Sequence, residues 1–216
     1  MFFVLLIICA VAAYLIGSLN SAIVVVRLLR HEDIRNFGSK NAGLTNVLRC
    51  FGKGPALVTL IADLLKGSLT IILIRAVVSA FGYEFDAMTV GYVAGLMIML
   101  GHIFPVYYGF KGGKGVLVAA AVLTAVDIRT FAIVIPIFII TLAITKYVSA
   151  SSITAAASYP VVTFLMQKFA EGLDTGTVLV HTALVVVTAA LIIYMHRANI
   201  ERLKNGTENK FSFSKK

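Results

Sequence analysis

The sequence predicts an all-α, polytopic integral membrane helix bundle with about seven transmembrane helices. Hydrophobic residues make up 59% of the 216 positions and charged residues only 13%, and the mean hydropathy is +0.94. Soluble domains carry about 25% charged residues, so this composition leaves no room for a separate soluble domain. We therefore expect a single membrane domain over residues 1–216, with a basic cytoplasmic tail from about residue 196.

A bilayer core requires about 20 apolar residues per helix, and about 17 in the shortest spans. Seven runs approach this length: Phe2–Leu29, Pro55–Phe81, Met88–Tyr108, Gly115–Val126, Thr130–Tyr147, Ile153–Phe169 and Thr175–Tyr194. The first run has no basic segment before it, which favours a retained span over a cleaved signal peptide. The fourth run is short and the sixth contains Pro160, so five or six full crossings also stay open.

The charges in the loops predict the orientation in the membrane. One set of loops and the tail hold Arg30, Arg35, Lys40, Arg49, Lys53, Lys111, Lys114, Lys146, Arg197, Arg202, Lys204, Lys210, Lys215 and Lys216. The other loops hold Glu84, Asp86, Asp127, Arg129, Lys168, Glu171 and Asp174. An excess of Lys and Arg marks the cytoplasmic side. The N-terminus is therefore expected outside and the C-terminus in the cytoplasm, which requires an odd number of crossings. The net charge of +9 indicates topology and anionic lipid or substrate, and no nucleic acid partner.

The segment 37–49, between the first two spans, combines glycine, serine, asparagine and threonine with two cations. Glycines allow several backbone N–H groups to turn toward one anion, and a following helix N-terminus adds further donors. Lys40 and Arg49 add positive charge, and arginine binds phosphate with two parallel hydrogen bonds. An anion-binding loop and an ordinary turn between membrane helices are both compatible with this segment alone.

A second glycine-rich basic segment, residues 109–115, follows the third run. Three of its glycines alternate with Lys111 and Lys114, which indicates either another anion site or a topology signal. The spacing of a Walker A loop is absent.

Two further polar clusters lie at predicted helix ends. Ser149, Ser151 and Ser152 are either binding residues or helix N-caps. His196, Asn199 and Arg202 share one face if the segment is helical, and a histidine beside cations can act as a base. An interfacial anchor is the alternative for this cluster.

The second span contains Asp63 and Lys66, three residues apart. Ionisable residues inside a membrane are expensive and usually functional, although these two can also form a purely structural pair. Cys9 and Cys50 predict no disulfide framework, and no Cys/His cluster has metal-ligand spacing.

With these residues in place, the chain resembles the bacterial acyl-phosphate-dependent glycerol-3-phosphate acyltransferase (PlsY) family over almost its whole length. The shared motifs are Tyr14-Leu-Ile-Gly-Ser18, Gly38-Ser-Lys-Asn41 with Gly43, Thr45-Asn46 and Arg49, Asp63-x-x-Lys66-Gly67, Gly101-His102-x-Phe104-Pro105, Lys111-Gly-Gly-Lys114-Gly115, Ser149 with Ser151, His196-Arg197-x-Asn199-Ile200-x-Arg202-Leu203 and Glu208. Two departures lie beside these motifs: Asn20 stands where the family commonly has proline, and Leu117-Val118 replaces a smaller, more polar pair.

The resemblance implies transfer of a fatty acyl group from acyl phosphate to the 1-hydroxyl of glycerol 3-phosphate, which gives lysophosphatidate in phospholipid biosynthesis. It also implies a multi-pass enzyme of the bacterial cell membrane with a cytoplasmic active site and no cofactor or metal. The expected partners are the two substrates and membrane lipids, with no obligate protein partner. Because both substrates carry phosphate, the two basic glycine-rich loops suit this chemistry independently.

The roles implied by the resemblance divide the residues into three groups. Ser39, Asn41, Gly43, Thr45 and Asn46 would bind acyl phosphate. Further substrate-binding residues would be Gly112, Gly113, Lys114, Ser151 and Arg202. The catalytic residues would be Arg49, Lys111, Ser149, His196 and Asn199, which hold glycerol 3-phosphate and orient its hydroxyl. Asp63, Lys66 and Glu208 would support the site. Either His196 or the substrate's own phosphate would accept the proton, and both stay open.

Two other function classes compete with an enzyme. A transporter for a small organic phosphate would explain charges at depth, but the sequence has no inverted repeat and its polar residues cluster on one side. A membrane scaffold would leave the four phosphate-compatible segments unexplained. Among enzymes, the His-x-x-x-x-Asp signature of other glycerolipid acyltransferases is absent, since the four corresponding positions are Asn36, Tyr107, Val186 and Glu201.

Overall fold

The structure is a computed structural model that describes residues 2–82 and 86–211, apart from the side chain of Phe2. Glu84, Lys215 and Lys216, included above among the loop and tail charges, lie outside the described residues. The helices are α1 (Phe2–Ser18), α2 (Ser21–Arg30), α3 (Leu44–Phe51), α4 (Lys53–Ala80), α5 (Ala87–Ile103), α6 (Val116–Val126), α7 (Ile128–Thr145), α8 (Val148–Leu165), α9 (Thr175–Met195) and α10 (Arg197–Lys204). Short 3₁₀ turns cover Ile34–Asn36 and Val106–Tyr108, and a π-helical turn, Met166–Ala170, extends α8. Strands are absent from the described ranges, which confirms the all-α prediction.

Six apolar helical segments in the described ranges are long enough to cross a membrane: Phe3–Arg30, Lys53–Ala80, Ala87–Tyr108, Ile128–Thr145, Val148–Ala170 and Thr175–Met195. The sixth predicted run is thus a full-length helix despite Pro160. The fourth predicted run forms only α6, whose 11 residues span about 16 Å of the roughly 30 Å core. The count of about seven therefore consists of six segments of membrane-spanning length and one short helix. The predicted orientation stays a prediction.

The first predicted run, Phe2–Leu29, corresponds to the span Phe3–Arg30, and its helix is interrupted within that span. Helix α1 ends at Ser18 and α2 begins at Ser21, with Asn20 as its N-cap. Asn20 Oδ1 accepts a hydrogen bond from the Ile23 amide at 3.1 Å, and Asn20 Nδ2 donates to the Ala42 carbonyl at 3.2 Å. The departure from the family's proline is thus a residue that starts α2 and also fixes the following loop.

The described chain forms two compact units, Met1–Val126 and Asp127–Lys216. In the first unit, α1 and α5 pack with their backbones in contact, because a Cβ on Gly17 or Gly101 would overlap the facing helix. Helix α6 lies against Gly67 of α4, where a Cβ would come within 2.6 Å of Ala121 Cβ. The description of residues 1–216 as one catalytic domain stays a prediction.

The second unit packs α7 on α8 and α8 on α9. The buried Gln167, in the π-helical turn, connects the ends of these helices. Its Nε2 donates to Asp127 Oδ2 at 3.3 Å, and its Oε1 lies 2.9 Å from His181 Nδ1. These contacts hold the helix ends remote from Ser149 and α10.

Candidate anion-binding and catalytic clusters

The loop of residues 37–43, called here the first loop, is built around the side chain of Asn46. Asn46 is buried, and its Nδ2 donates to the carbonyls of Phe37 at 2.9 Å and Asn41 at 3.1 Å. Its Oδ1 accepts the Ser39 amide at 3.0 Å. The predicted role of Asn46 in direct substrate binding stays a prediction, whereas its contacts show that it shapes the loop.

Helix α3 begins directly after this loop, with Gly43 as its N-cap. The first amides of a helix have no partner within the helix, and Thr45 lies half-buried in this first turn. Ser39 is exposed and Asn41 is half-buried beside it. Arg49 is exposed in the last turn of α3. The first loop and α3 thus combine hydrogen-bond donors with two exposed cations, Lys40 and Arg49.

The loop of residues 109–115, called here the glycine–lysine loop, is closed onto the end of α5. The Gly112 amide donates to the Ile103 carbonyl and the Gly113 amide to the His102 carbonyl, each at 3.1 Å. Both amides therefore donate within the turn in this conformation. Lys111 is exposed and Lys114 is half-buried. Within the described part of the chain, neither Lys111 nor Arg49 is paired with a protein group.

Asp63, Lys66 and His102 form a buried charge cluster. Lys66 Nζ lies 3.0 Å from Asp63 Oδ1 and 3.4 Å from His102 Nδ1. Because an ammonium can only donate, His102 Nδ1 accepts this contact. Lys66 Nζ also donates to the carbonyls of Gly17 at 3.4 Å and Leu19 at 3.1 Å. A cation at these carbonyls is favourable because they end α1.

His102 of this cluster also packs closely against Gly113 of the glycine–lysine loop. A Cβ on Gly113 would overlap His102 Nε2 and would lie 2.7 Å from the Ala42 carbonyl oxygen. His102, the glycine–lysine loop and the end of the first loop are therefore in close contact. The pairing of Asp63 with Lys66 matches the sequence prediction, but the third member, His102, was missed.

In the second unit, Glu208 binds three of the predicted site residues. Its Oε1 accepts hydrogen bonds from Ser149 Oγ at 3.0 Å and Asn199 Nδ2 at 2.8 Å. Its Oε2 accepts Arg202 Nε at 2.6 Å. We call Ser149, Asn199, Arg202 and Glu208 the Glu208 cluster.

Glu208 is ionised under ordinary conditions despite its burial. Burial alone raises the pKa of its carboxyl, but the hydrogen bonds from Asn199, Arg202 and Ser149 outweigh it and hold the pKa below its usual value of 4.5. A charged carboxylate is the stronger acceptor. Glu208 therefore fixes the orientation of the three side chains around it.

His196 lies at the junction of α9 and α10 and is buried. Its Nδ1 is 2.8 Å from the Ile192 carbonyl oxygen. A carbonyl can only accept, so Nδ1 carries a proton, and in the neutral form of the ring Nε2 is the acceptor nitrogen. This tautomer is the one that a general base acting through Nε2 requires.

Three predicted site residues have mainly structural contacts. The Ser151 hydroxyl donates to the Tyr147 carbonyl at 2.9 Å, one helical turn back, and Ser151 is fully buried. Gly112 and Gly113 are needed for the close turn described above. The substrate-binding roles of these three residues stay predictions. No group of three His, Cys, Asp or Glu that could hold a metal ion occurs in the described residues.

The structure also contains a cluster of Arg27, Asp33 and Arg35, of which only Arg35 is included above, as a topology charge. Asp33 pairs with Arg27 and Arg35, and Arg35 reaches the Tyr108 carbonyl. The spacing Asp33-x-Arg35 was the available signal, since a carboxylate two residues before an arginine can pair with it around a tight turn.

Comparisons with known proteins agree with one another. The family described as Glycerol-3-phosphate acyltransferase matches residues 7–206. The Glycerol-3-phosphate acyltransferase of Chlorobaculum parvum (strain DSM 263 / NCIMB 8327) is 38% identical over 94% of this chain and 95% of its own length. Two crystal structures of PlsY (YgiH), an integral membrane glycerol 3-phosphate acyltransferase, are also similar. The glycerol 3-phosphate form has a TM-score of 0.78 and 36% identity, and the lysophosphatidic acid form 0.77 and 34%, each covering 96% of both chains.

Proposed function

Because this chain belongs to the glycerol-3-phosphate acyltransferase family, we propose that it transfers a fatty acyl group from acyl phosphate to the 1-hydroxyl of sn-glycerol 3-phosphate. The products are 1-acyl-glycerol 3-phosphate and inorganic phosphate. The similar PlsY structures are described as forms with glycerol 3-phosphate and lysophosphatidic acid, which supports this acceptor and this product.

One observation carries the proposal: Arg49 and Lys111 are exposed cations of α3 and the glycine–lysine loop, and neither has a protein partner within the described residues. Arg49 and Lys111 are unpaired within the described residues, whereas Arg27 and Arg35 are held by Asp33. Unpaired cations beside loops rich in donors suit phosphate groups. We assign Arg49 and Lys111 to glycerol 3-phosphate, and Ser39, Asn41, Gly43, Thr45 and Asn46 to acyl phosphate.

The chemistry requires no covalent enzyme intermediate. Acyl phosphate is a mixed anhydride, so the hydroxyl oxygen attacks the acyl carbon, the carbon–oxygen bond to phosphate breaks, and phosphate leaves with the electron pair. The hydroxyl proton passes to His196 Nε2 or to a phosphate oxygen of the substrate. Holding two anions in reach of each other and stabilising the developing oxyanion supply most of the acceleration. No cofactor takes part in this scheme.

The residues of the second unit are assigned to the acceptor. Ser149 and Asn199 are held by Glu208, which leaves their remaining hydrogen-bonding capacity in a fixed orientation. His196 has the Nδ1–H tautomer that Nε2 basicity requires. We further propose that the enzyme resides in the bacterial cell membrane with these residues facing the cytoplasm, where the positive-inside rule puts their loops.

The test uses purified full-length protein in lipid, with palmitoyl phosphate and glycerol 3-phosphate, and follows phosphate release and lysophosphatidate formation. We expect release that depends on glycerol 3-phosphate and falls at least about a hundredfold in Arg49→Ala and Lys111→Ala. The exposed cations Arg30 and Lys53 give the matched controls Arg30→Ala and Lys53→Ala, which should keep wild-type rates.

A parallel reaction with palmitoyl-CoA separates the donor from the acceptor. Lysophosphatidate formed from palmitoyl-CoA but not from palmitoyl phosphate would overturn the proposed donor and keep the acyltransferase. No product from either donor, in folded protein, would overturn the enzyme function and favour flux measurements of glycerol 3-phosphate across sealed vesicles.

A further inference from the structure

The Asp33 carboxylate forms ion pairs with two arginines near the start of the first loop. Arg35 binds it with two parallel hydrogen bonds, Nε to Oδ1 at 2.9 Å and Nη2 to Oδ2 at 2.8 Å. Arg27 Nη2 donates to the same Oδ2 at 2.8 Å. The Arg35 backbone amide also donates to Oδ1 at 3.0 Å. A bidentate pair with this many supporting bonds has a defined geometry, unlike an isolated surface ion pair.

A third side-chain donor of Arg35, Nη1, contacts a distant part of the chain. Arg35 Nη1 donates to the main-chain carbonyl of Tyr108 at 2.8 Å, a contact between residues 73 positions apart. The guanidinium carbons of Arg27 and Arg35 lie 5.3 and 5.8 Å from the centre of the Tyr108 ring, within the range of cation–π attraction. We call Arg27, Asp33, Arg35 and Tyr108 the Asp33 clamp.

The Asp33 clamp joins the starts of both anion loops. Phe37, which opens the first loop, follows Arg35 by two residues, and Lys111 follows Tyr108 by three. Directly before Arg35, Ile34 is fully buried in a core cluster that Tyr108 also contacts. After Tyr108 the chain turns through Gly109 and Phe110, both with positive φ, before it reaches Lys111.

We propose that Asp33 and Arg35 are positioning residues for Lys111, because the Asp33 clamp fixes the glycine–lysine loop relative to the first loop. This inference rests on the proposed function of Lys111 in binding glycerol 3-phosphate. A phosphate-binding ammonium on a flexible side chain is effective only if its main chain is fixed, and small displacements of a binding group cost large factors in rate.

The electrostatics of the clamp support a permanent contact. Hydrogen bonds from Arg35 hold the pKa of the Asp33 carboxyl well below its usual range, and the pairing raises the pKa of the Arg35 guanidinium. Both groups therefore stay charged at every pH at which the enzyme can be assayed. The glycine–lysine loop has further backbone contacts on both sides of Lys111. The Phe110 amide donates to the Pro105 carbonyl at 2.9 Å, and the Gly112 and Gly113 amides donate to the end of α5.

The experiment compares clamp variants with matched neighbours that have no clamp contact. Asp33→Asn and Arg35→Gln are paired with Glu32→Gln and Arg30→Gln, which change the same charges at exposed positions nearby. We expect the clamp variants to raise KM for glycerol 3-phosphate about tenfold, with a smaller change for acyl phosphate. The controls should keep wild-type constants. Arg35→Lys keeps the charge without the fork and should recover part of the loss.

A double-mutant cycle with Lys111→Ala separates positioning from general destabilisation. If Arg35 acts through Lys111, Arg35→Gln should change kcat/KM less than about twofold in the Lys111→Ala background. A full, additive loss in that background, or wild-type kinetics in Arg35→Gln and Asp33→Asn, would overturn the proposal.

Hydrogen–deuterium exchange gives a readout that does not require activity. Amides of residues 106–114 should exchange faster in Arg35→Gln and Arg35→Lys but not in Arg30→Gln, while exchange in α4 stays unchanged. Unchanged exchange in residues 106–114 would contradict the clamp even if the wild-type protein showed no acyl transfer. Absence of acyl transfer with faster exchange would overturn the proposed function alone.

Discussion

The Ser149 hydroxyl donates a hydrogen bond of 3.0 Å to Glu208 Oε1, across 59 residues of sequence. This bond joins the start of α8 to the segment that follows α10. Glu208 also accepts hydrogen bonds from Asn199 and Arg202. The position of Ser149 therefore depends on the acidic residue that comes after the last helix.

Ser149→Ala should lower kcat/KM for glycerol 3-phosphate by at least about tenfold, since it removes a hydroxyl held by a charged acceptor. Ser152→Ala is the matched control. Ser152 is also a buried serine of α8, but its hydroxyl donates to the Val148 carbonyl at 2.8 Å, within its own helix. We expect Ser152→Ala to stay within about twofold of wild type. Equal losses in the two variants would show a nonspecific effect of truncating serines in α8.

Glu208 should make stability depend on pH in the acidic range. The pKa of its carboxyl in the folded protein lies below its usual 4.5, so the unfolded chain binds its proton first as the pH falls. The stabilisation is therefore complete above about pH 5 and declines as the pH falls through the folded pKa.

The difference in melting temperature between wild type and Glu208→Gln measures this contribution. We expect a constant difference from about pH 7 to about pH 5 and a smaller one below. Glu201→Gln, at an exposed position of α10, should show no such trend. A difference that grows as the pH falls would contradict the assignment.

Part of the Glu208 cluster could be predicted from the sequence, and part could not. Asn199 and Arg202 are three residues apart, so helical periodicity alone puts them on one face. Glu208 comes after α10 and beyond Gly206, whose φ of +66° turns the chain back. Only the tertiary structure shows that this turn returns a carboxylate to Asn199.

The break between α1 and α2 is also a feature that the hydropathy of the sequence does not predict. Residues 2–29 contain no charge before Arg27, and hydropathy predicts one helix. At the break, Asn20 caps α2, and Lys66, which lies 47 positions from Leu19, donates to the Leu19 carbonyl. Local propensity carries no information on such a contact.

For Asn46, the residue type suggests substrate binding, whereas its contacts show that it stabilises the first loop. Asn46→Asp keeps the acceptor for the Ser39 amide but loses both donors to the loop carbonyls. Each buried polar group left unsatisfied costs about 1–3 kcal/mol. We therefore expect a melting temperature lower by several degrees and a loss of activity, measured by thermal unfolding and phosphate release. Asn36→Asp, at an exposed position before the loop, is the control, and an equal effect there would contradict the prediction.

Gly113→Ala should abolish activity, because a methyl group would overlap His102 Nε2 and approach the Ala42 carbonyl oxygen. Neither neighbour can move without opening the first loop or the end of α5. Gly54→Ala is the matched control, since a Cβ at Gly54 meets no atom within 4 Å and the residue lies in α4. Alanine there should be neutral or stabilising by up to about 1 kcal/mol. Retained activity in Gly113→Ala would show that the glycine–lysine loop adopts another conformation.

Asp63 and Lys66 should be more costly to change singly than together. Their charged atoms are 3.0 Å apart and their side chains are almost fully buried, so removing one partner leaves an uncompensated charge. Breaking such a pair costs about 3–5 kcal/mol, whereas replacing both partners by apolar residues is often far less damaging. We therefore expect Asp63→Leu and Lys66→Met each to lower the melting temperature more than the double variant does. The double variant should still lose activity, because Lys66 also binds the Gly17 and Leu19 carbonyls at the end of α1. Full activity in the stable double variant would assign the pair to stability alone, and additive destabilisation would show that the two charges do not depend on each other.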